Sequence, residues 1–354
     1  MPDKVGIVAG ATGVVGTRVA EALVAAGDWR VIGLARRVPA TRIAGVEYIA
    51  VDLSDRASCY DAVQTMQGAS HLFYAARYPF VTGQAEDTDA NTAMLRNLLD
   101  ALEQLHNPLV HVHLVHGTKY YGVHLGRHPT PAREDAPRCL QGNFYYEQED
   151  LVRARAASRG WNWSVSRPHC VCDTSLATPR SLPLTIATYA LISKRLGQPL
   201  CFPGTQGNYS ALYQCTDAGL LARAVLWMST DPRCANEAFN VTNGDIFRWE
   251  NVWPGIARHF GMEPGPVRTV SLATLMADKA PIWRDIVAAY GLDDRPYDSM
   301  ALWTYGDGVF APDWDMISST TKLRQRGFHE VIDTPTMLFN QFGSFRRANV
   351  IPAT

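Results

Sequence analysis

Three features of the sequence predict an α/β chain built on a doubly wound parallel sheet. A short β-branched run, Ile7-Val8-Ala9, enters Gly10-Ala11-Thr12-Gly13-Val14-Val15-Gly16, and a helix-forming segment at 18–26 follows at once. Short apolar runs then alternate with helical segments as far as 110–115, the rhythm of repeated β-α units. From Ser175 onward that rhythm loosens, and prolines at 179, 183, 199 and 203 punctuate a smaller, mostly helical lobe. A chain of 354 residues exceeds the usual single core. The expected division is a dinucleotide-binding part over 1–170, with later strands drawn from parts of 171–245. A mainly substrate-binding part over 175–354 is interleaved with it.

Strand, glycine turn and helix in immediate succession read as a phosphate turn of the Rossmann type. The first glycine, Gly10, permits the tight bend, and Gly13 lets backbone amides approach a pyrophosphate. Gly16 lets helix and strand pack closely, with the phosphate at the positive end of the helix. Thr12, Val14 and Val15 complete the cradle.

The second strand, at 29–34, ends in Ala35-Arg36-Arg37. An NAD site presents Asp or Glu about 20 residues beyond the turn to bond the ribose 2′-hydroxyl. Two guanidinium groups suit a 2′-phosphate instead, which they grip through charge-assisted hydrogen bonds, so NADP(H) is the expected cofactor. The plainer alternative is a pair of arginines that only solvate a loop. A third strand at 46–51 leads to Asp52 and Leu53, placed to meet the adenine ring. A fourth at 71–76 ends in Ala75 and Ala76, small enough to leave room beneath the middle of the cofactor.

Composition narrows the function classes. Hydrophobic residues make up 47%, charged residues 19%, and the formal net charge is −1, which gives no electrostatic reason to expect nucleic acid or an anionic membrane as partner. No apolar run is long enough for a membrane span and the start lacks a signal-peptide core, so a cytoplasmic location is expected. Seven cysteines without a repeating pattern argue against a disulfide framework. Cys170 and Cys172 are the only close pair and lack a second pair for a zinc site, so they read as packing residues and no metal is expected. His111 and His113, two apart in a strand, share a face without a third ligand and read as structural.

Beyond the strand at 110–115 comes His116-Gly117-Thr118-Lys119-Tyr120-Tyr121-Gly122, then a Pro-rich loop, then Asn143-Phe144-Tyr145-Tyr146-Glu147-Gln148-Glu149-Asp150, which opens a helix running to about 158. In short-chain dehydrogenases a tyrosine and a lysine four residues later share a helix, and the ammonium lowers the phenol's pKa. Four residues after Tyr145 stands Glu149, and four after Tyr120 stands His124, so neither tyrosine has that lysine.

Taken in order, these motifs resemble the signature set of the progesterone 5β-reductase/iridoid synthase-like enzymes, atypical members of the extended short-chain dehydrogenase superfamily. The set comprises Gly-Ala-Thr-Gly-Val-Val-Gly, Ala35-Arg36-Arg37, His116-Gly117-Thr118-Lys119-Tyr120-Tyr121 and Asn143-Phe144-Tyr145-Tyr146-x-x-Glu149-Asp150. The likeness continues through Trp163-Ser164-Val165-Ser166-Arg167-Pro168, Pro199-Leu200-Cys201-Phe202-Pro203-Gly204 and 236–245, and more loosely to Gly327-Phe328, covering nearly the whole chain. The resemblance implies NADPH-dependent reduction of an activated carbon–carbon double bond, with hydride added to the β-carbon of a small apolar enone or enal. It implies Tyr145 and Lys119 as the catalytic pair. A phenol aimed at the carbonyl oxygen suits that role, because hydride arrival builds enolate charge there. At the nicotinamide end Gly117, Tyr145, Pro168 and Val171 are the expected cofactor contacts.

Two departures from the family pattern bear on the substrate. The fourth strand runs into Ala75-Ala76-Arg77-Tyr78, which places Arg77 and Tyr78 beside the nicotinamide or the substrate entrance, and His169 stands where the usual Arg-Pro-Gly has glycine. In the second lobe helices are expected at 184–196, 217–229 and 249–260. Aromatic residues then gather between Trp283 and Phe310, and this region either lines the pocket or forms a lid over it. Trp303 and Phe328 are the substrate-pocket candidates there. Two other readings of the same fold stay open, a carbonyl reductase or sugar-nucleotide epimerase and a non-catalytic NADPH-sensing regulator, as do monomer and homodimer.

Overall fold

The computed structural model describes residues 4–79, 86–104 and 109–353. Seven parallel strands form the central sheet: β1 (Lys4–Ala9), β2 (Trp29–Ala35), β3 (Val46–Ala50), β4 (His71–Tyr74), β5 (His111–Val115), β6 (Asn162–Pro168) and a late strand, Glu237–Val241. Their spatial order runs β3, β2, β1, β4, β5, β6 and then the late strand, so the order reverses between β1 and β4. A crevice opens at the carboxyl ends of the strands at such a reversal, and ligands bind there.

Side-chain alternation sorts the two faces. Ile7, Ala9, Ile32, Leu34, Leu72, Val112 and Leu114 pack under α2 (Arg56–Val63), α3 (Thr88–Gln104) and α4 (Phe144–Arg159). Val8, Val31, Phe73, Phe239 and Val241 face the other way, onto Val19, Ala20 and Leu23 of α1 (Val14–Ala26) and Leu220, Leu221 and Val225 of the helix Ala218–Thr230. Both faces of a parallel sheet are covered, which is why its strands read as nearly continuous apolar runs.

Between β6 and the late strand the chain leaves the sheet. It forms β7 (Val171–Cys172), the buried helix α5 (Leu182–Arg195) and two more short strands before Thr216–Asp217, which pairs in parallel with β7. The second lobe is completed by residues after 242 and has its own core, where Phe202 meets Trp253 and Phe310 edge-on at 5.1 and 5.3 Å. Trp249, Trp253 and Trp283 are fully buried in it.

Of the aromatic residues between 283 and 310, Trp283 and Phe310 therefore belong to the lobe's interior, whereas Tyr305 lines the cavity described below. Trp303 packs against Tyr297, ring centroids 6.1 Å apart, and does not line the cavity as expected. Phe328 is also displaced from the expected pocket: it lies under the sheet, 5.5 Å from the ring of Trp227, in the core shared with Phe239.

Candidate active site

The glycine turn is shaped by close approach. Gly10 has φ +82°, and a Cβ there would lie 2.9 Å from the backbone of Ala75 and Ala76. At Gly16 a Cβ would fall 2.1 Å from the Gly10 carbonyl oxygen, so only glycine lets α1 start so near β1. Gly13 is different: its side faces open space apart from the Gly10 oxygen, and as N-cap of α1 it provides no side-chain acceptor. The first amides of α1 are thus left to an anionic ligand at the positive end of the helix.

Two adjoining cavities follow from this turn. One, about 440 Å³, is lined by Thr12, Gly13, Arg36, Asp52, Leu53, Ala75, Ala76 and Tyr78. The other, about 550 Å³, is lined by Val14, Val15, Gly117, Lys119, Tyr145, Pro168, His169 and Val171. Arg77 borders both, so together they form one trench along the sheet's carboxyl edge, sized for a dinucleotide with a small ligand at its far end. Arg36 lines the first cavity while Arg37, likewise exposed, does not, and Tyr78 borders the first cavity and not the second, away from the expected substrate end. The adenosine end also holds Asp52, whose carboxylate accepts from the Ser54 amide and hydroxyl at 2.9 and 2.6 Å and is held below its usual pKa by those bonds and by Arg36.

The catalytic candidates converge on the second cavity from two elements. Tyr145 sits in the first turn of α4 and Lys119 in the short helix Thr118–Tyr121 after β5. Asn143 ties the two together. Its side chain accepts from the Tyr145 amide at 3.0 Å, capping α4, and donates to the Lys119 carbonyl at 3.2 Å. The Tyr145 ring stacks on His116 with centroids 4.5 Å apart, and a Cβ on residue 117 would come within 3.3 Å of the Tyr145 hydroxyl. Glycine at 117 therefore keeps the approach to the phenol open.

Burial raises the pKa of Tyr145, with Arg77 and Arg180 opposing, so the phenol is a proton-bearing donor at neutral pH. Lys119 is pushed down to about 8 by burial and then by the nearby positive charges of Arg77 and Arg180. Its ammonium contacts Glu86 at 3.1 Å, and Glu86 also pairs with Arg77. Glu149, at the position of the usual dehydrogenase lysine, is turned away and pairs with Arg167 at 3.0 Å. Both side chains are essentially inaccessible, at 0% and 1% exposure, so this pair braces α4 against β6 and leaves no lysine beside Tyr145 within its own helix.

Tyr305, from the aromatic region expected to line or cover the pocket, does line this cavity, whereas sequence reasoning did not select Arg180, Thr178 and Tyr213 of the same wall. His169, singled out only as a departure, is buried with Nδ1 hydrogen-bonded to Thr118 Oγ1 at 2.7 Å. His111 and His113 hold the sheet instead of a metal, both sharing the Ser164 hydroxyl at 2.7 Å. Cys170 and Cys172 are joined by a third cysteine, Cys215, which their spacing could not reveal.

The PRISE-like Rossmann-fold domain model matches residues 49–352. The chain belongs to that family. Among curated proteins it is 32% identical to an (S)-8-oxocitronellyl enol synthase of Nepeta racemosa, over 99% of this chain and 92% of the relative. It is 30% identical to a 3-oxo-Δ(4,5)-steroid 5β-reductase of Arabidopsis thaliana, over 99% and 94%. Among solved structures, a short-chain dehydrogenase/reductase superfamily protein from Agrobacterium tumefaciens superposes with a TM-score of 0.67 at 19% identity, covering 98% of both chains. A UDP-glucose 4-epimerase from Thermotoga maritima superposes with a TM-score of 0.68 at 15% identity, covering 97% and 99%. These structural likenesses show that the PRISE-like fold is shared with the wider dehydrogenase and epimerase group.

Proposed function

We propose that this PRISE-like chain is an NADPH-dependent reductase of activated carbon–carbon double bonds, acting on small apolar enones or enals. The observation that carries this reading is the cavity that Tyr145 and Lys119 both line at the end of a trench fit for a dinucleotide, with no lysine four residues after the tyrosine. Full-length relatives named for enol synthesis and for steroid 5β-reduction support the same chemistry.

Gly10, Gly13 and Gly16 fit a pyrophosphate, and Arg36 at the adenosine end supports a 2′-phosphate. Bound NADPH would supply the hydride that adds to the substrate β-carbon. Tyr145 donates a hydrogen bond to the substrate oxygen as negative charge grows on it, a contact stronger in the transition state than in the ground state. Lys119, as a nearby cation, supports that developing charge, and Glu86 with Arg77 fixes its ammonium. The apolar wall from Leu302 and Val309 excludes water from the enolate. Epimerase chemistry is disfavoured by Glu149, since a carboxylate locked to Arg167 cannot serve as the tyrosine's lysine. Among the described residues no helix is long and apolar enough to cross a membrane.

The test follows NADPH oxidation with 2-cyclohexenone and with cyclohexanone. Consumption with the enone alone is the expected result. Equal consumption with the saturated ketone would make the chain a carbonyl reductase, and neither would leave only the cofactor-sensing reading.

A further inference from the structure

We propose that Cys170, Cys172 and Cys215 form a binding site for a thiophilic d¹⁰ divalent cation, zinc above all, set into the wall of the reductase cavity. The site follows from the chain path. Cys170 stands just before β7 (Val171–Cys172) and Cys172 ends it, with the Cys172 thiol donating to the Cys170 carbonyl at 3.4 Å. The paired strand sets Thr216 opposite Val171, which brings Cys215 beside Cys170, and the Thr216 amide donates to the Cys170 carbonyl at 3.2 Å. The three sulfurs lie within 4.8 Å of one another. Tetrahedral zinc with bonds of about 2.3 Å needs its sulfurs roughly 3.8 Å apart, a closure of at most about 1 Å.

Packing alone does not account for the arrangement. Cys172 and Cys215 are fully buried, whereas Cys170 is partly exposed and lines the cavity. Cys170 holds φ +43°, a left-handed conformation that side-chain-bearing residues avoid, and this turns its sulfur toward the other two. Three protein ligands with a fourth position facing a cavity is the layout of an open zinc site. Water from the cavity, or the Tyr305 hydroxyl 3.7 Å from the Cys170 sulfur, can fill that position. Zinc on three thiolates carries one net negative charge, and Arg180, stacked over the Tyr305 ring at 4.8 Å, lies on the side that balances it.

The test uses full-length protein, reduced and stripped with a chelator, then titrated with Cd²⁺ as an ultraviolet charge-transfer probe and with Zn²⁺ in competition. One equivalent is expected, with Zn²⁺ displacing Cd²⁺. Cys172→Ser and Cys215→Ser should each weaken binding by at least about tenfold, while Cys139→Ser, remote from the cluster, should not. Because a buried substitution can unfold the chain, a second arm alkylates wild-type protein and locates the label by mass spectrometry. Zn²⁺ should protect Cys170 and leave Cys139 labelled. No stoichiometric charge-transfer band, a band surviving both Cys172→Ser and Cys215→Ser, or Cys170 labelling unchanged by Zn²⁺ would each overturn the site. Neither arm depends on enone turnover, so the outcome is separate from that of the proposed reaction.

Discussion

In the proposed reaction Tyr145 acts through one hydroxyl. Tyr145→Phe keeps the ring stacked on His116 and removes the donor, so kcat for an enone should fall by about 10²–10³ while NADPH affinity stays level. Steady-state kinetics with a cofactor-binding titration checks both, and wild-type turnover in the variant would remove the phenol from the mechanism. Lys119 supplies a pH signature. Because its folded pKa is lowered to about 8, the ammonium is present below that pH and lost above it, so kcat/KM should decline as pH rises through 8. Arg77→Met removes one of the charges that depress Lys119 and should move the decline to higher pH, whereas Lys119→Met should abolish it. At this scale Tyr145 and Lys119 could be singled out because each stands in a distinctive local motif, and both line one cavity. Arg180 could not, since a residue in a Pro-rich connection shows no local sign that it will reach a cavity whose other walls come from Val14, Gly117 and Tyr305.

Elements show why the pair is positioned as it is. The Asn143 side chain both caps α4 and holds the Lys119 carbonyl, so Asn143→Ala should cost about 1 kcal/mol of stability and lower kcat more than it changes NADPH binding. A variant with the stability loss but unchanged kcat would reduce Asn143 to a helix cap. At the end of β2, only Arg36 lines the adenosine cavity, so Arg36→Ala should erode the preference for NADPH over NADH, and Arg37→Ala should leave it nearly intact. KM values for both cofactors decide this, and equal effects would place both guanidinium groups on the phosphate. Adjacent arginines look alike in a sequence, since which one turns inward depends on where the strand ends. The first five strands and the helices α1, α4, α5, Ala218–Thr230 and Trp249–His259 were legible within a few residues because their apolar periods are strong, whereas the helices Ala280–Tyr290, Trp303–Phe310 and Thr334–Arg347 were not read from the sequence. The assignment of Trp303 and Phe328 failed because aromatic content alone does not distinguish a lobe core from a pocket wall.

At the scale of the whole molecule the chain path couples the two lobes. The last strand of the central sheet, Glu237–Val241, is reached only after the chain has passed through α5 and its neighbours, and the C-terminal helix Thr334–Arg347 then packs back on α5. Asn243 sits at the crossing, accepting from the Asp217 amide at 2.6 Å and donating to Thr334 at 3.0 Å. The catalytic cavity is likewise shared, with Val14 and Tyr145 from one side and Tyr305 and Val309 from the other. Neither lobe can unfold without stripping partners from the other, so thermal denaturation should show one transition. A ligand that binds only the folded chain stabilises it by RT ln(1 + [L]/Kd), about 2.7 kcal/mol at a hundredfold excess over Kd. With an unfolding entropy of about 2.1 cal/mol/K per residue, NADP⁺ at that excess should raise the single Tm by roughly 4 °C. Scanning calorimetry with and without NADP⁺ measures this. Two resolved transitions, of which NADP⁺ moved only one, would mean that the lobes are separate cooperative units and that the enone cavity at their junction opens independently of the cofactor trench.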